Sequence, residues 1–191
     1  MRPEEVEGLI SDEQGRIMQQ YAAEMVNDVA VEIGSYRGKS ACYIGSAMPK
    51  SAHLWCIDPW DDSDDNRYGF VFTDENLQLF NRNVEMCGLS SRVTPVRGFS
   101  SEVAGGWERP ISFLYIDGGH EHDEVLADID GFAPHMVSGG VILFDDYSEA
   151  FPGVVSAVNE RFDDVILHDV GVYQSRKKNR EQRYLAAVRV P

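Results

Sequence analysis

Along the chain, apolar and polar positions alternate in two distinct rhythms, which divide its 191 residues into repeated strand–helix units. Residues 3–27 carry an amphipathic pattern, clearest at Ile17, Met18, Tyr21, Ala22 and Met25, and predict a helix that covers the sheet. Short, near-continuous apolar runs predict buried strands at 29–33, 53–57, 92–96, 111–116 and 141–144. Helical spacing recurs between them: Ala41, Ile44 and Met48; Leu77, Phe80, Val84 and Cys87; Val125, Leu126, Ile129, Phe132 and Ala133. A last helix around Val154, Val155, Val158 and Phe162 precedes two strands, 165–168 and 184–190, with no helix between them. Strand–helix alternation predicts a parallel sheet covered on both faces, and strands joined without a crossover predict an antiparallel end. The expected fold class is α/β: a doubly wound, mostly parallel, seven-stranded sheet with helices on both faces and an antiparallel last strand. Residues 1–191 read as one domain, with 1–28 as an N-terminal helical cover and 29–191 as the sheet and its helices.

Composition narrows the setting. A hydrophobic content of 43% with 26% charged residues is that of a soluble globular protein. No apolar run is long enough to cross a bilayer, and the first residues lack a cationic–apolar signal peptide. The net charge of −15 argues against nucleic acid or an anionic membrane as the main partner, although local segregation of charge leaves either open. Cys42, Cys56 and Cys87 sit in apolar or helical contexts without metal-ligand spacing, so they read as buried thiols in a reducing, cytoplasmic setting. The one basic cluster, Arg176-Lys177-Lys178-Asn179-Arg180, reads as a solvated loop joining the last two strands. A homo-oligomer is left open, since most soluble oligomers would show no mark in sequence.

In open α/β sheets the ligand lies outside the carboxyl ends of the strands, so the residues there form one list. The first strand ends at Glu32, Gly34, Ser35 and Tyr36, with Gly38 four places beyond Gly34 and Ser40 opening the next helix. Glycines there permit a tight turn, and the following helix offers free N–H groups. The second strand ends at Asp58, where a ribose-binding acid is expected, and the third leads to Ser100. The fourth ends at Asp117 and His120, and the fifth at Asp145 and Asp146. Asp117, Asp145 and Asp146 are hard oxygen donors suited to Mg²⁺ or another divalent cation, or else helix caps and solvated acids. His120 is matched to removing a proton near neutral pH; His122, two residues on, is the nearest competitor. Residues 59–72 mix carboxylates with aromatics in a long loop, which reads either as a lid or substrate contact, with Trp60 and Tyr68 as candidates to wall a pocket, or as a plain solvated insertion.

These motifs resemble those of class I S-adenosylmethionine-dependent methyltransferases, which share a Rossmann-like sheet, over residues 29–160. Glu32-Ile33-Gly34-Ser35-Tyr36-Arg37-Gly38-Lys39-Ser40 is similar to the first motif of catechol O-methyltransferase and its relatives. The resemblance implies that Glu32, Gly34, Tyr36 and Ser40 surround the methionine end of S-adenosyl-L-methionine, that Asp58 meets the ribose and that Ser100 lies beside the adenine. It further implies a metal triad at Asp117, Asp145 and Asp146 and a general base at His120. Asp117-Gly118-Gly119-His120, with Gly139-Gly140-Val141-Ile142-Leu143-Phe144-Asp145-Asp146-Tyr147 and Pro152-Gly153-Val154, resembles a branch of bacterial sugar O-methyltransferases and cephalosporin-hydroxylase-like proteins. Asp146 departs from the catechol enzymes, which carry asparagine there.

The expected activity is methyl transfer to a small-molecule hydroxyl, with a sugar as one candidate acceptor. Two alternatives stand beside it. A nicotinamide-dependent oxidoreductase would use a similar sheet, but no close Gly-x-Gly pair follows the first strand. A nucleoside-binding module without catalysis would keep the pocket alone.

Overall fold

The protein was described as a computed structural model covering residues 1–60, 74–174 and 180–191. Tyr68 and most of the acidic–aromatic loop, like the centre of the basic cluster, lie outside the described residues. Seven strands form one sheet: β1 (Val29–Ile33), β2 (His53–Asp58), β3 (Val93–Arg97), β4 (Ile111–Ile116), β5 (Met136–Tyr147), β6 (Ile166–Gln174) and β7 (Arg180–Arg189). Their order across the sheet is β3-β2-β1-β4-β5-β7-β6. The pairs among β1 to β5 are parallel, and β7 runs antiparallel to both β5 and β6. This is the expected α/β sheet with its antiparallel last strand.

Six α-helices among the described residues cover it: α1 (Asp12–Ala23), α2 (Lys39–Ala47), α3 (Asp74–Met86), α4 (Ser100–Ala104), α5 (His122–Phe132) and α6 (Pro152–Arg161). One core holds Met18 and Ala22 of α1, Ile44 of α2 and Phe80 of α3 against Ala30, Cys56, Tyr115 and Leu143 of the strands. The other holds Val125, Ile129 and Phe132 of α5 and Val154 and Val158 of α6 against Val31, Ile33, Ile116 and Phe144. Neighbouring strand residues fall into opposite cores because side chains alternate across a sheet. No helix among the described residues is long and apolar enough to cross a membrane.

Several elements differ from the sequence pattern, among them the last two strands, which run to Gln174 and start at Arg180, so that Arg180 of the basic cluster belongs to a strand rather than to the loop. The N-terminal helix begins only at Asp12, after a 3-10 turn at Pro3–Glu5. Ser11 starts it through a reciprocal cap: its hydroxyl accepts from Gln14 N at 3.2 Å, and Gln14 Oε1 accepts from Ser11 N at 2.8 Å. β5 runs through Gly139-Gly140 because that pair exchanges hydrogen bonds with Val190, from Gly139 N and to Gly140 O, each 2.9 Å. Helix α4 went unpredicted because five residues are too few to show a helical period.

Candidate active site

The sheet reverses direction of growth at β1, which lies between β2 and β4, and so opens a crevice at their carboxyl ends. The loop from β1 to α2 borders it. Gly34 and Gly38 have φ of 82° and 81°, and Tyr36, an L-residue, has φ of 45°. A Cβ on Gly34 would sit 2.0 Å from the Asp117 carbonyl oxygen. The loop and the end of β4 therefore touch, and only glycine fits between them.

Buried carboxylates hold this loop in shape. Asp58, 2% exposed, accepts from Ser35 N and Tyr36 N at 2.9 Å each through Oδ2, and from Trp60 N at 2.9 Å through Oδ1. The Trp60 indole donates to Tyr36 O at 2.8 Å, which helps a tyrosine remain in the left-handed region. Glu32 is fully buried and accepts from the Ser35 hydroxyl at 2.6 Å. Its Oε1 meets no donor in hydrogen-bonding geometry among the described residues. Burial pushes the Glu32 pKa up, against the opposing pull of Ser35, Ser40 and Cys56. An acid kept buried with one oxygen unsatisfied is costly. A cationic or N–H-bearing ligand group in the crevice would relieve that cost.

A second group gathers where β4 and β5 end. Asp117, His120 and Asp146 each offer one ligating atom, all within 4.8 Å of one another. Asp146 is brought there by a bulge. Phe144 pairs with Ala186 and Tyr147 with Tyr184, so two β5 residues oppose one on β7. Asp146 has φ of 54° at this bulge, and its Oδ2 lies 3.0 Å from His120 Nε2. Asp145 does not join that trio. The strand's alternation turns it toward α1, where Gln14 Nε2 donates to Oδ1 at 2.6 Å and the Tyr115 hydroxyl stands 3.0 Å from Oδ2.

Tyr115 also lies 3.1 Å from Asp117 Oδ2. A phenol has one proton and can donate to only one of these carboxylates, so a second proton shared with the pair would complete the set. Burial, followed by the charges of Asp145 and Asp146, pushes the Asp117 pKa well above the usual carboxylate range. Burial and Asp146 push that of Asp145 up to about 6. Such a cluster favours a proton or a cation. The donor set of two carboxylates and an imidazole fits a divalent cation, at Asp117 and Asp146 with His120 in reach.

One other residue is placed differently from expectation. Trp60 does not wall a pocket: it is fully buried, its ring centroid 5.2 Å from that of Phe80 on α3. An indole beside an acidic loop reads as exposed from sequence, but α3 returns over it. Ser100 gives its hydroxyl to Asp128 Oδ1 at 2.5 Å, and burial lifts the Asp128 pKa to about 6.

The model of a methyltransferase-domain family matches residues 31–147, the span from β1 to the end of β5. The chain belongs to that family. Fold and family together make it an S-adenosylmethionine-dependent methyltransferase, and the nicotinamide alternative falls. The O-methyltransferase of Bacillus cereus in complex with SAH is 15% identical with a TM-score of 0.70, covering 95% of this chain and 82% of that one. The O-methyltransferase TomG of Streptomyces achromogenes, involved in tomaymycin synthesis and bound to SAM, is 14% identical at 0.71, covering 96% and 82%. A putative rRNA-methylase of Clostridium thermocellum is 13% identical at 0.66, covering 95% and 99%. At such identities the likeness concerns the fold.

In this methyltransferase the sequence-derived residues Glu32, Gly34, Ser35, Tyr36, Gly38, Ser40 and Asp58 all lie in or against the β1–α2 loop. Asp117, His120 and Asp146 meet at the adjoining strand ends. His122 points away, its imidazole between Asp123 and Glu160 at 2.9 Å each. Sequence reasoning missed Tyr115, Gln14, Asp128 and Arg183, the last on β7 with its Nη1 2.9 Å from Asp146 Oδ1. Tyr115 was detectable, since it precedes Asp117 by two residues and so shares its strand face. Asp128 was too, standing three after Val125 and four before Phe132 on the apolar helix face. Gln14 and Arg183 carry no such signal.

Proposed function

We propose that this methyltransferase moves the methyl group of S-adenosyl-L-methionine to a hydroxyl of a small-molecule acceptor, a sugar being one candidate. The observation that carries the reading is the contact of Gly34 with Asp117, which sets the cofactor loop beside the Asp117–His120–Asp146 trio. In the transfer, an acceptor oxygen lone pair forms the O–CH₃ bond. The C–S bond breaks, and its electron pair returns to sulfur to give the neutral thioether. The hydroxyl proton passes to the His120 imidazole, which Asp146 orients through the 3.0 Å contact.

Glu32 would take the cofactor's methionine end, Asp58 and the loop N–H groups its ribose side, and Ser100 would stand near the adenine. Asp117 and Asp146 would hold Mg²⁺ or another divalent cation, which would bind the acceptor hydroxyl and lower its pKa. Asp145 would act behind them, fixed by Gln14 and Tyr115. The net charge of −15 favours a small acceptor over nucleic acid, and three free thiols suit a cytoplasmic location. Residues 1–191 would act as one domain.

The position of His120 within the trio also supports a second reading, as third cation ligand. Calorimetric titration with S-adenosylhomocysteine and Mn²⁺, on wild type and His120→Ala, separates the two. A general base predicts that both affinities stay within about threefold of wild type, while turnover against hydroxylated acceptors falls about 100-fold or more. Collapse of Mn²⁺ affinity alone would make His120 a ligand. Absence of S-adenosylhomocysteine binding in wild type would sink the cofactor assignment.

A further inference from the structure

The reaction outlined above leaves one charge at the site unused. β7 carries Arg183, whose Nη1 stands 2.9 Å from Asp146 Oδ1, while His120 Nε2 occupies the other oxygen at 3.0 Å. The Arg183 and Asp146 side chains are 18% and 9% exposed. Phe151 packs against both partners of the carboxylate: its ring centroid is 4.5 Å from that of His120 and 5.3 Å from the guanidinium carbon. The guanidinium is thus built into the place where a cation would sit against Asp146. Its contact is close but poorly aligned, so Asp146 Oδ1 gains charge neutralisation without a hydrogen bond. Such a contact opposes a second cation at Asp146 electrostatically.

We propose that Arg183 sets the cation affinity of this site by competing with the divalent ion for Asp146. The proposal rests on the reading of Asp117, His120 and Asp146 as cation donors. Arginine stays protonated throughout the working pH range, so the competition is permanent and must be overcome by whatever delivers the ion. An acceptor that brings its own oxygen donors to the ion would do so. The ion would then bind well only with acceptor present.

The test is Mn²⁺ titration of the full chain with S-adenosylhomocysteine present, followed by the electron paramagnetic resonance of free Mn²⁺. Wild type, Arg183→Lys, Arg183→Gln and Arg183→Met are compared. Removing the charge in either neutral variant should tighten Mn²⁺ binding about tenfold or more, while the lysine variant stays near wild type. Adding Asp146→Asn to Arg183→Gln should abolish the gain. Neutral variants that bind Mn²⁺ no more tightly than wild type, including no binding by any protein, overturn the proposal. S-adenosylhomocysteine affinity in the same samples reports separately on the cofactor reading and on folding. Weak binding by wild type with tight binding by Arg183→Gln would support the role of Arg183 while showing that the unassisted native site is a poor metal site.

Discussion

Asp128 offers the sharpest quantitative test of this fold. It lies on α5, 4% exposed, with the Ser100 hydroxyl at 2.5 Å as its strong partner. Burial raises its pKa from 3.8 to about 6, with Ser100 pulling down and Glu124 adding a little upward. A carboxyl whose folded pKa is raised binds its proton more tightly when folded, so its ionisation works against folding. The penalty is absent below the unfolded value, builds between about pH 4 and 6, and is complete above the folded pKa. At about 1.4 kcal/mol per pH unit, the rise corresponds to about 3 kcal/mol at pH 8.

Asp128→Asn removes the charge and keeps an oxygen to accept from Ser100. Imperfect placement of the new amide should hold the gain to about 1–3 kcal/mol at pH 8, or several degrees in Tm for a chain this size. Urea denaturation of both proteins at pH 8, 6 and 4 checks it. The advantage of the variant should shrink toward zero as pH falls to 4. A gain that does not depend on pH, or a loss at pH 8, would refute the burial argument. Unchanged S-adenosylhomocysteine affinity would confine Asp128 to joining α4 and α5; weaker affinity would show that the buried charge is kept for the cofactor.

Other perturbations probe the crevice itself. Glu32→Gln removes a buried charge whose pKa is raised, so it should be more stable than wild type at pH 8 but lose about tenfold or more in S-adenosylhomocysteine affinity, read by calorimetry. Gly34→Ala places a Cβ 2.0 Å from the Asp117 carbonyl oxygen at φ of 82°. It should cost about 3 kcal/mol or more and open β1 from β4, seen as lost cofactor binding and faster amide exchange at Asp117. Tyr115→Phe strips a hydroxyl from between Asp117 and Asp145 and should destabilise by about 1–3 kcal/mol in urea unfolding, provided the two acids find no replacement donor.

Much of the site was legible because strand ends are fixed by local sequence. Apolar runs stop at polar residues, and a parallel sheet sends all those stops to one edge. Glu32, Asp58, Asp117 and Asp146 could therefore be gathered before any coordinates. What local pattern could not say was which way each acid turns. Asp145 and Asp146 look equivalent in sequence, yet the bulge opposite β7 gives Asp146 to His120 and leaves Asp145 to Gln14 and Tyr115. Trp60 was misread for a similar reason: its burial depends on α3, which returns from residue 74.

By itself, then, the order of apolar and polar residues determined the sheet, its parallel sense, its antiparallel end and the edge where chemistry collects. These follow from periodicity and chain connection, which are local. Only the tertiary structure decided how the acids are partnered, because Gln14 reaches Asp145 from 131 residues before and Arg183 reaches Asp146 from β7, the neighbour of β5 in the sheet but well separated from it along the chain. Hydrogen bonds and ion pairs between such residues depend on which helix covers which strand, and on the register in which β7 meets β5. Short-range sequence pattern does not carry that register; it is set when the two cores close around the sheet and the last strand finds its place.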